Sequence, residues 1–274
     1  NTVSKTWVIQ NNAGYQVTIS QGTGANVVIP NGGIKMLVTD GAGAGAAVTD
    51  VLDMTGGTGN VGLGSGSLGT AITTGTDNVA IGEAAGDALT SGSRSTFVGD
   101  NAGGATTTAN NNVAIGTDAL LVNTTGASNV AVGKSSLDAN TTGSDNTGLG
   151  TLALSANTTA SNNVAIGRSA LLANTTADNN TAVGYNALTA NTTGANNVAI
   201  GKDALIANTT ANNNTAVGYD SLTANTTGTA NVAMGKSALE ANTTADNNTG
   251  IGFSALAANT TGSEMVAVGK GALD

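Results

Sequence analysis

The chain has 274 residues, of which 40 are Gly, 1 is Pro and none is Cys or His. The absence of Cys and His excludes zinc fingers, thiolate clusters, catalytic thiols and Ser-His-Asp triads. The net charge of -9 argues against nucleic acid and anionic membrane surfaces as partners, and no apolar run approaches the ~18 residues of a membrane-spanning helix.

The first part of the chain, residues 1–53, contains short β-rich segments separated by turn residues. The candidate strands cover residues 8–9, 16–19, 27–29 and 36–38. Asn-Asn, Gly-Thr-Gly and Asn-Gly-Gly sequences stand between them, and such residues favour tight turns. We therefore predict a small antiparallel β domain over 1–53. The Gly/Ala-rich run 41–47 leads toward a segment, 54–78, that we assign to a linker or a first irregular coil.

The remainder of the chain, residues 79–274, repeats with a period of 17 residues. A column of glycines recurs without a slip at Gly82, Gly99, Gly116, Gly133, Gly150, Gly167, Gly184, Gly201, Gly218, Gly235, Gly252 and Gly269. A Leu column recurs at Leu120, Leu137, Leu154, Leu171, Leu188, Leu205, Leu222, Leu239, Leu256 and Leu273. Gly64 lies one residue out of phase, so we expect the array to begin near it with an insertion.

This period predicts a parallel β-solenoid in which each 17-residue unit forms one coil. Helical solenoids need about 33 to 47 residues per unit, and Gly and Asn-Thr-Thr interrupt every candidate helix here. In the unit that contains Val164–Ile166, large and small aliphatic residues alternate as in a strand, and Leu171 and Ala173 predict a second, shorter strand. We assign the aliphatic residue before each glycine and the Leu column to the core. The glycines mark sharp corners or close backbone approaches.

Two Asn columns predict ladders of stacked side chains along the solenoid axis. The first column opens each Asn-Thr-Thr triplet, at Asn123, Asn140, Asn157, Asn174, Asn191, Asn208, Asn225, Asn242 and Asn259. The second comprises Asn112, Asn129, Asn146, Asn163, Asn180, Asn197, Asn214, Asn231 and Asn248. Each triplet is formally a glycosylation sequon, but register within a ladder explains its regular recurrence better.

A second period of 34 residues overlies the first in the position after the corner glycine. There, cations and aromatic residues alternate at Arg168, Tyr185, Lys202, Tyr219, Lys236, Phe253 and Lys270. Cations on successive coils would repel one another, whereas an interleaved ring gives each cation a surface to lie against. A solvated face explains this stripe, and a binding surface for an acidic glycan is the alternative.

The composition of a coil also predicts self-association. Each coil offers only two large aliphatic residues to bury, which is little compared with the conformational entropy of 17 ordered residues. Its many Ala positions suggest flat faces that approach other chains closely. We therefore predict a homotrimer around a fibre axis. Because the repeat stops within a unit at Asp274, we expect a cap or a further domain to follow.

Units such as 163–167 and 197–201, each followed by Ala-Leu and Asn-Thr-Thr, resemble the repeats of bacteriophage tail fibres. They are more distantly similar to the head repeats of trimeric autotransporter adhesins. Residues 16–41 are similar to a β module common in phage tail proteins. This resemblance implies a left-handed parallel β-roll, three chains per fibre, and a non-enzymatic shaft in an extracellular virion tail appendage for host attachment. Its partners would be other tail or baseplate proteins, with a host surface glycan as a candidate ligand and no cofactor.

Three other functions stay open beside this one. A bacterial trimeric surface adhesin head has similar repeats. A glycan-degrading tailspike needs paired carboxylates, but the acids of the array are scattered single residues, as at Asp118, Asp203, Asp220, Glu240 and Asp246. An ice-binding solenoid needs Thr-x-Thr on one face, and this chain has adjacent Thr-Thr pairs. Asp178 and Asp246 share a column with Asn212 between them, so we predict no structural metal.

Overall fold

The computed structural model describes residues 5–20, 26–29, 34–39, 48–54, 59–69 and 72–274. Within these ranges, the regular elements are β-strands and there is no helix. The N-terminal part contains a three-stranded antiparallel sheet in the order β1-β4-β5 and a separate antiparallel pair, β2-β3. Their bounds are β1 Lys5–Gln10, β2 Val17–Ile19, β3 Val27–Ile29, β4 Ile34–Thr39 and β5 Val48–Met54.

All four strands predicted in the N-terminal part are confirmed, but the sequence missed β5. Asp50 and Asp53 break the apolar alternation there, and a β-bulge also shifts the strand's register. Met36 pairs with Leu52, whereas Leu37 pairs with Asp50, so one residue of β5 has no partner. The predicted turns at 22–24 and 31–33 and the run 41–47 lie outside the described residues.

A thirteen-stranded parallel sheet follows, with its strands in sequence order. They are β6 Val61–Leu63, β7 Val79–Ile81, β8 Thr96–Val98, β9 Val113–Ile115, β10 Val130–Val132, β11 Thr147–Leu149, β12 Val164–Ile166, β13 Thr181–Val183, β14 Val198–Ile200, β15 Thr215–Val217, β16 Val232–Met234, β17 Thr249–Ile251 and β18 Val266–Val268. Val164 pairs with Thr181, one repeat later, which confirms the parallel β-solenoid with 17-residue coils. Val61 pairs with Val79, so the first coil carries the predicted extra residue.

Each solenoid strand buries its central residue and turns the other two outward. In β14, Ala199 is fully buried, whereas Ile200 is 40% exposed. The assignment of the aliphatic residue before each glycine to the core is therefore wrong. The Leu column is in the core as predicted, because it is fully buried from Leu120 to Leu256. The coil is so thin that the buried Leu leaves room for little more than a methyl group on the facing strand.

The predicted second strand of each coil is also wrong, because a run of turns takes its place. The residues of the Leu column, from Leu120 to Leu273, adopt left-handed φ angles of +50° to +54° in this run. Because positive and negative φ angles alternate along the run, its peptide groups point alternately toward the preceding and the following coil. Ser169 N–H donates to Thr151 O of the preceding coil, and Leu171 N–H donates to Ala187 O of the following coil, each at 3.0 Å. The run thus joins three coils without an extended segment.

The corner glycines allow successive coils to approach closely, as predicted. From Gly116 to Gly269 their φ angles are +128° to +143°, a conformation that L side chains rarely adopt. A Cβ atom added to Gly184 would lie 2.5 Å from the carbonyl oxygen of Gly201 and 2.6 Å from its carbonyl carbon. Only a residue without a side chain fits this corner in the middle of the stack.

The Asn column of the triplets forms a continuous side-chain ladder, as predicted. Each Nδ2 donates to Oδ1 of the Asn one coil earlier, at 2.8–3.2 Å, from Asn140 to Asn259. The same amide also donates to a backbone carbonyl three residues ahead, as Asn191 does to Gly194 O at 2.8 Å. Asn123 to Asn242 are fully buried, so no glycan can be attached to them in the folded chain.

The second Asn column is also a ladder, but most of its bonds join side chains to the backbone. Oδ1 of Asn180 accepts the backbone N–H of Asn197, one coil later, at 2.9 Å. Nδ2 of Asn180 donates to Gly194 O at 2.9 Å. Each of these amides therefore ties its own coil to the next one and satisfies buried peptide groups at the corner before the strand.

We expect Asn191→Ala to lower the free energy of unfolding by about 2–3 kcal/mol, because it leaves buried polar partners unpaired. Asn208 Nδ2 loses its acceptor at 2.9 Å, and Asn174 Oδ1 and Gly194 O lose a donor. Urea unfolding measures the effect. Thr193→Ala, at an exposed site of the same triplet, is the control and should change the value by about 0.5 kcal/mol or less. Equal effects of the two substitutions would contradict the role of the ladder.

Candidate functional site

The corner geometry presents the cation–aromatic stripe to solvent. We use the name stripe for Arg168, Tyr185, Lys202, Tyr219, Lys236, Phe253 and Lys270, each of which follows a corner glycine. Because the strands before these corners pair in register, stripe residues of successive coils stack above one another. All seven side chains are exposed.

Cations and rings within the stripe lie in direct contact range. The charged group of Arg168 is 5.8 Å from the ring centroid of Tyr185. Lys236 lies between two rings, 5.6 Å from the centroid of Tyr219 and 5.7 Å from that of Phe253. The remaining pairs are Lys202 with Tyr219 at 4.9 Å and Lys270 with Phe253 at 5.7 Å. These are cation–π distances, so the rings hold the cations in a defined column.

Two acids flank the cations in the position next to the stripe. Nζ of Lys202 forms a salt bridge with Oδ2 of Asp203. The hydrogen bond to Asp203 raises the pKa of Lys202 above its ordinary value, and the negative charge of Asp220 contributes in the same direction. Lys202 therefore carries a positive charge at neutral pH.

The column also contains Lys134, which was not among the predicted stripe residues. It lies two coils before Arg168 and is exposed, with Thr151 in place of a ring between them. The 34-residue period extends back to this residue, so the sequence did contain the necessary signal. Five of the eight Lys and Arg residues of the chain thus occupy a single column.

The Asn-Thr-Thr corner presents one exposed Thr per coil. The first Thr is half-buried, and its hydroxyl donates to the backbone of the next coil, as Thr192 Oγ1 does to Thr209 O at 3.0 Å. The second, such as Thr193, is exposed. This hydroxyl-to-backbone column runs along most of the solenoid and was not predicted from the sequence.

The acids do not form a cluster in the described residues. No group of three or more His, Cys, Asp or Glu side chains that could hold a metal ion is found there. Asp203 and Asp220 lie beside the stripe, whereas Oδ1 of Asp246 accepts the backbone N–H of Thr229 at 2.6 Å. This bond gives Asp246 a structural role between two coils. Over the same residues, no helix is long and apolar enough to cross a membrane.

Comparison of the chain with protein-family models, with curated proteins and with solved structures finds no match. The fold and the surfaces described above are therefore the basis of any functional argument. Two of these surfaces stand out. One is the stripe, and the other is the outward face of the parallel sheet.

Proposed function

We propose that the chain is the self-assembling, non-enzymatic shaft of an extracellular attachment fibre of the phage tail type. The observation that carries this proposal is the outward face of the parallel sheet. There, the aliphatic residues before the corner glycines form a continuous apolar column. Six of them are 37–44% exposed: Ile81, Ile115, Leu149, Ile200, Met234 and Ile251. An apolar surface of this length on a soluble chain marks an interaction site.

Self-association through this face would bury the aliphatic side chains that the thin coil leaves outside. The residue that opens each strand, Val or Thr, also faces outward and is half-buried from Val79 to Thr249. The face is therefore two side chains wide, and its strand positions from Val79 to Ile251 contain no charged residue. Copies of the same chain repeat it at the same axial spacing, so parallel copies can pack coil against coil. The resemblance to tail-fibre repeats supports three chains.

Light scattering tests the assembly. We expect a molar mass three times the 26.2 kDa of one chain. Replacing two outward aliphatic residues with charges, in Ile166→Asp/Ile200→Asp, should yield monomers because it places carboxylates in the apolar interface. The double variant Thr159→Asp/Thr193→Asp, on exposed sites of the same two coils, is the charge-matched control and should stay trimeric.

A monomeric or dimeric parent chain would contradict the proposal, as would a trimer that survives the two outward aspartates. Circular dichroism must show unchanged β-structure in both variants.

Incubation with bacterial polysaccharides tests the proposal that the shaft is non-enzymatic, since we expect no new reducing ends. Measurable release of sugar would indicate a glycan-degrading enzyme.

A further inference from the structure

We propose that the stripe, extended by Lys134, binds a linear acidic polysaccharide that carries one negative charge per disaccharide. This proposal names a ligand class for the attachment role and rests on that role for its biological meaning. The stripe is formed by the side chains of a single chain, so the absence of binding would not contradict the trimeric shaft.

The stripe concentrates positive charge in an acidic protein. The chain has a net charge of -9, yet five of its eight cations share this column. No acid occurs in the column between Lys134 and Lys270. Since the remaining surface repels anions, an anionic ligand would be guided to the stripe.

The cations of the stripe are regularly spaced along the solenoid axis. Cations recur every second coil, which corresponds to roughly 9.6 Å along the axis at the usual strand separation. This distance is close to the length of one disaccharide unit in an extended polysaccharide. In a polysaccharide with one carboxylate or sulfate on every second sugar, each anionic group would therefore lie opposite one cation of the stripe.

Aromatic rings stand between the cations of the stripe. Tyr185, Tyr219 and Phe253 are 43–47% exposed, so part of each ring is free to contact a ligand. The C–H faces of sugar rings pack against aromatic rings, and a sugar without charge would sit there. The rings also restrict the cations that contact them, as Lys236 is restricted between Tyr219 and Phe253. This restriction reduces the entropy lost on binding.

The flanking acids favour a polyanion with widely spaced charges over one with closely spaced charges. Asp203 neutralises part of the charge on Lys202, and Asp220 lies close enough to influence it. A nucleic acid carries a phosphate on every nucleotide, so some of its charges would lie against these carboxylates. A polysaccharide with one charge per two sugars can place each of its charges at a cation.

Calorimetry at low salt tests the proposal. The probe is hyaluronan oligosaccharides, which carry one carboxylate per disaccharide. Neutral chitin oligosaccharides and single-stranded polyuridylate are the comparison ligands. We expect hyaluronan to bind, and we expect its affinity to fall as salt is added. Lys236→Gln should weaken binding by about threefold to fivefold, and Arg94→Gln, which removes an exposed cation outside the stripe, should not.

The exchange variant Tyr219→Lys/Lys236→Tyr separates spacing from total charge, because it keeps the composition and destroys the two-coil period. We expect it to bind hyaluronan more weakly than the parent chain. Absent binding, equal weakening by Arg94→Gln, or an exchange variant that binds as well as the parent would overturn the proposal. Tighter binding of polyuridylate would overturn it in favour of a nucleic-acid surface. The molar mass, measured on the same samples, reports on the trimer independently.

Discussion

Gly184→Ala should be among the most damaging single substitutions in this chain, with an expected loss of about 3–5 kcal/mol in the free energy of unfolding. Two effects add. Gly184 has a φ of +138°, where an L residue is strained, and the new Cβ would lie 2.5 Å from the carbonyl oxygen of Gly201. The neighbouring atom is backbone held by the ladder and cannot rotate away. Thermal and urea unfolding followed by circular dichroism measure the loss.

Gly269→Ala is the matched control, because it keeps the strain and removes the clash. Gly269 has nearly the same φ, +128°, but it lies in the last coil, and the nearest atom to an added Cβ is 4.0 Å away. We expect a loss of only about 1–3 kcal/mol, attributable to backbone strain alone. If the two substitutions cost the same, the close approach of the coils contributes nothing. The corner would then require Gly for its dihedral angle only.

The period of the sequence was sufficient to predict the length of the coil, the register of its first strand and the positions of its Asn ladders. A strict 17-residue repeat with Gly and Asn in fixed columns can be stacked in register in few ways, and identical residues then meet on successive coils. Gly64, one residue out of phase, even located the longer first coil. The position of the stripe on an exposed corner followed from the same periodicity.

One repeat unit was not sufficient to predict which strand residues face the core. In Val-Ala-Ile, either the Ala or the two larger residues could point inward with the same alternation. Large aliphatic residues usually face the core, and that expectation failed because the Leu column already fills a thin interior. Comparison between units did contain the answer. Gly148 and Gly250 replace the central Ala of their strands, which indicates a crowded position. The left-handed Leu residues had no sequence signal, since Leu disfavours that conformation.

A larger residue occupies the same central position where the Leu column is interrupted. Phe97 replaces the central Ala in β8 and is fully buried. In the coils that contain them, Gly86 and Gly103 occupy the position of the Leu column, with φ angles of +60° and +63° that match those of the Leu residues. A Cβ added to Gly86 would lie 2.6 Å from Cδ2 of Phe97, and one added to Gly103 would also overlap the ring. One ring therefore fills the space of two missing Leu side chains.

This arrangement predicts strong coupling between the three positions. Phe97→Ala alone should lower the free energy of unfolding by about 3–5 kcal/mol, because it opens a cavity that the neighbouring glycines cannot fill. Gly86→Leu and Gly103→Leu alone should each cost about 1–3 kcal/mol or more through overlap with the ring.

The triple variant Phe97→Ala/Gly86→Leu/Gly103→Leu recreates the core of the later coils and should regain most of the lost stability. Leu is tolerated at these two positions because Leu120 and its equivalents adopt the same left-handed φ. Urea unfolding of the parent chain, the single variants and the triple variant measures the coupling. If the losses simply add, the ring does not replace the Leu side chains. A triple variant within about 1 kcal/mol of the parent would instead show that the core volume of a coil is shared with its two neighbours.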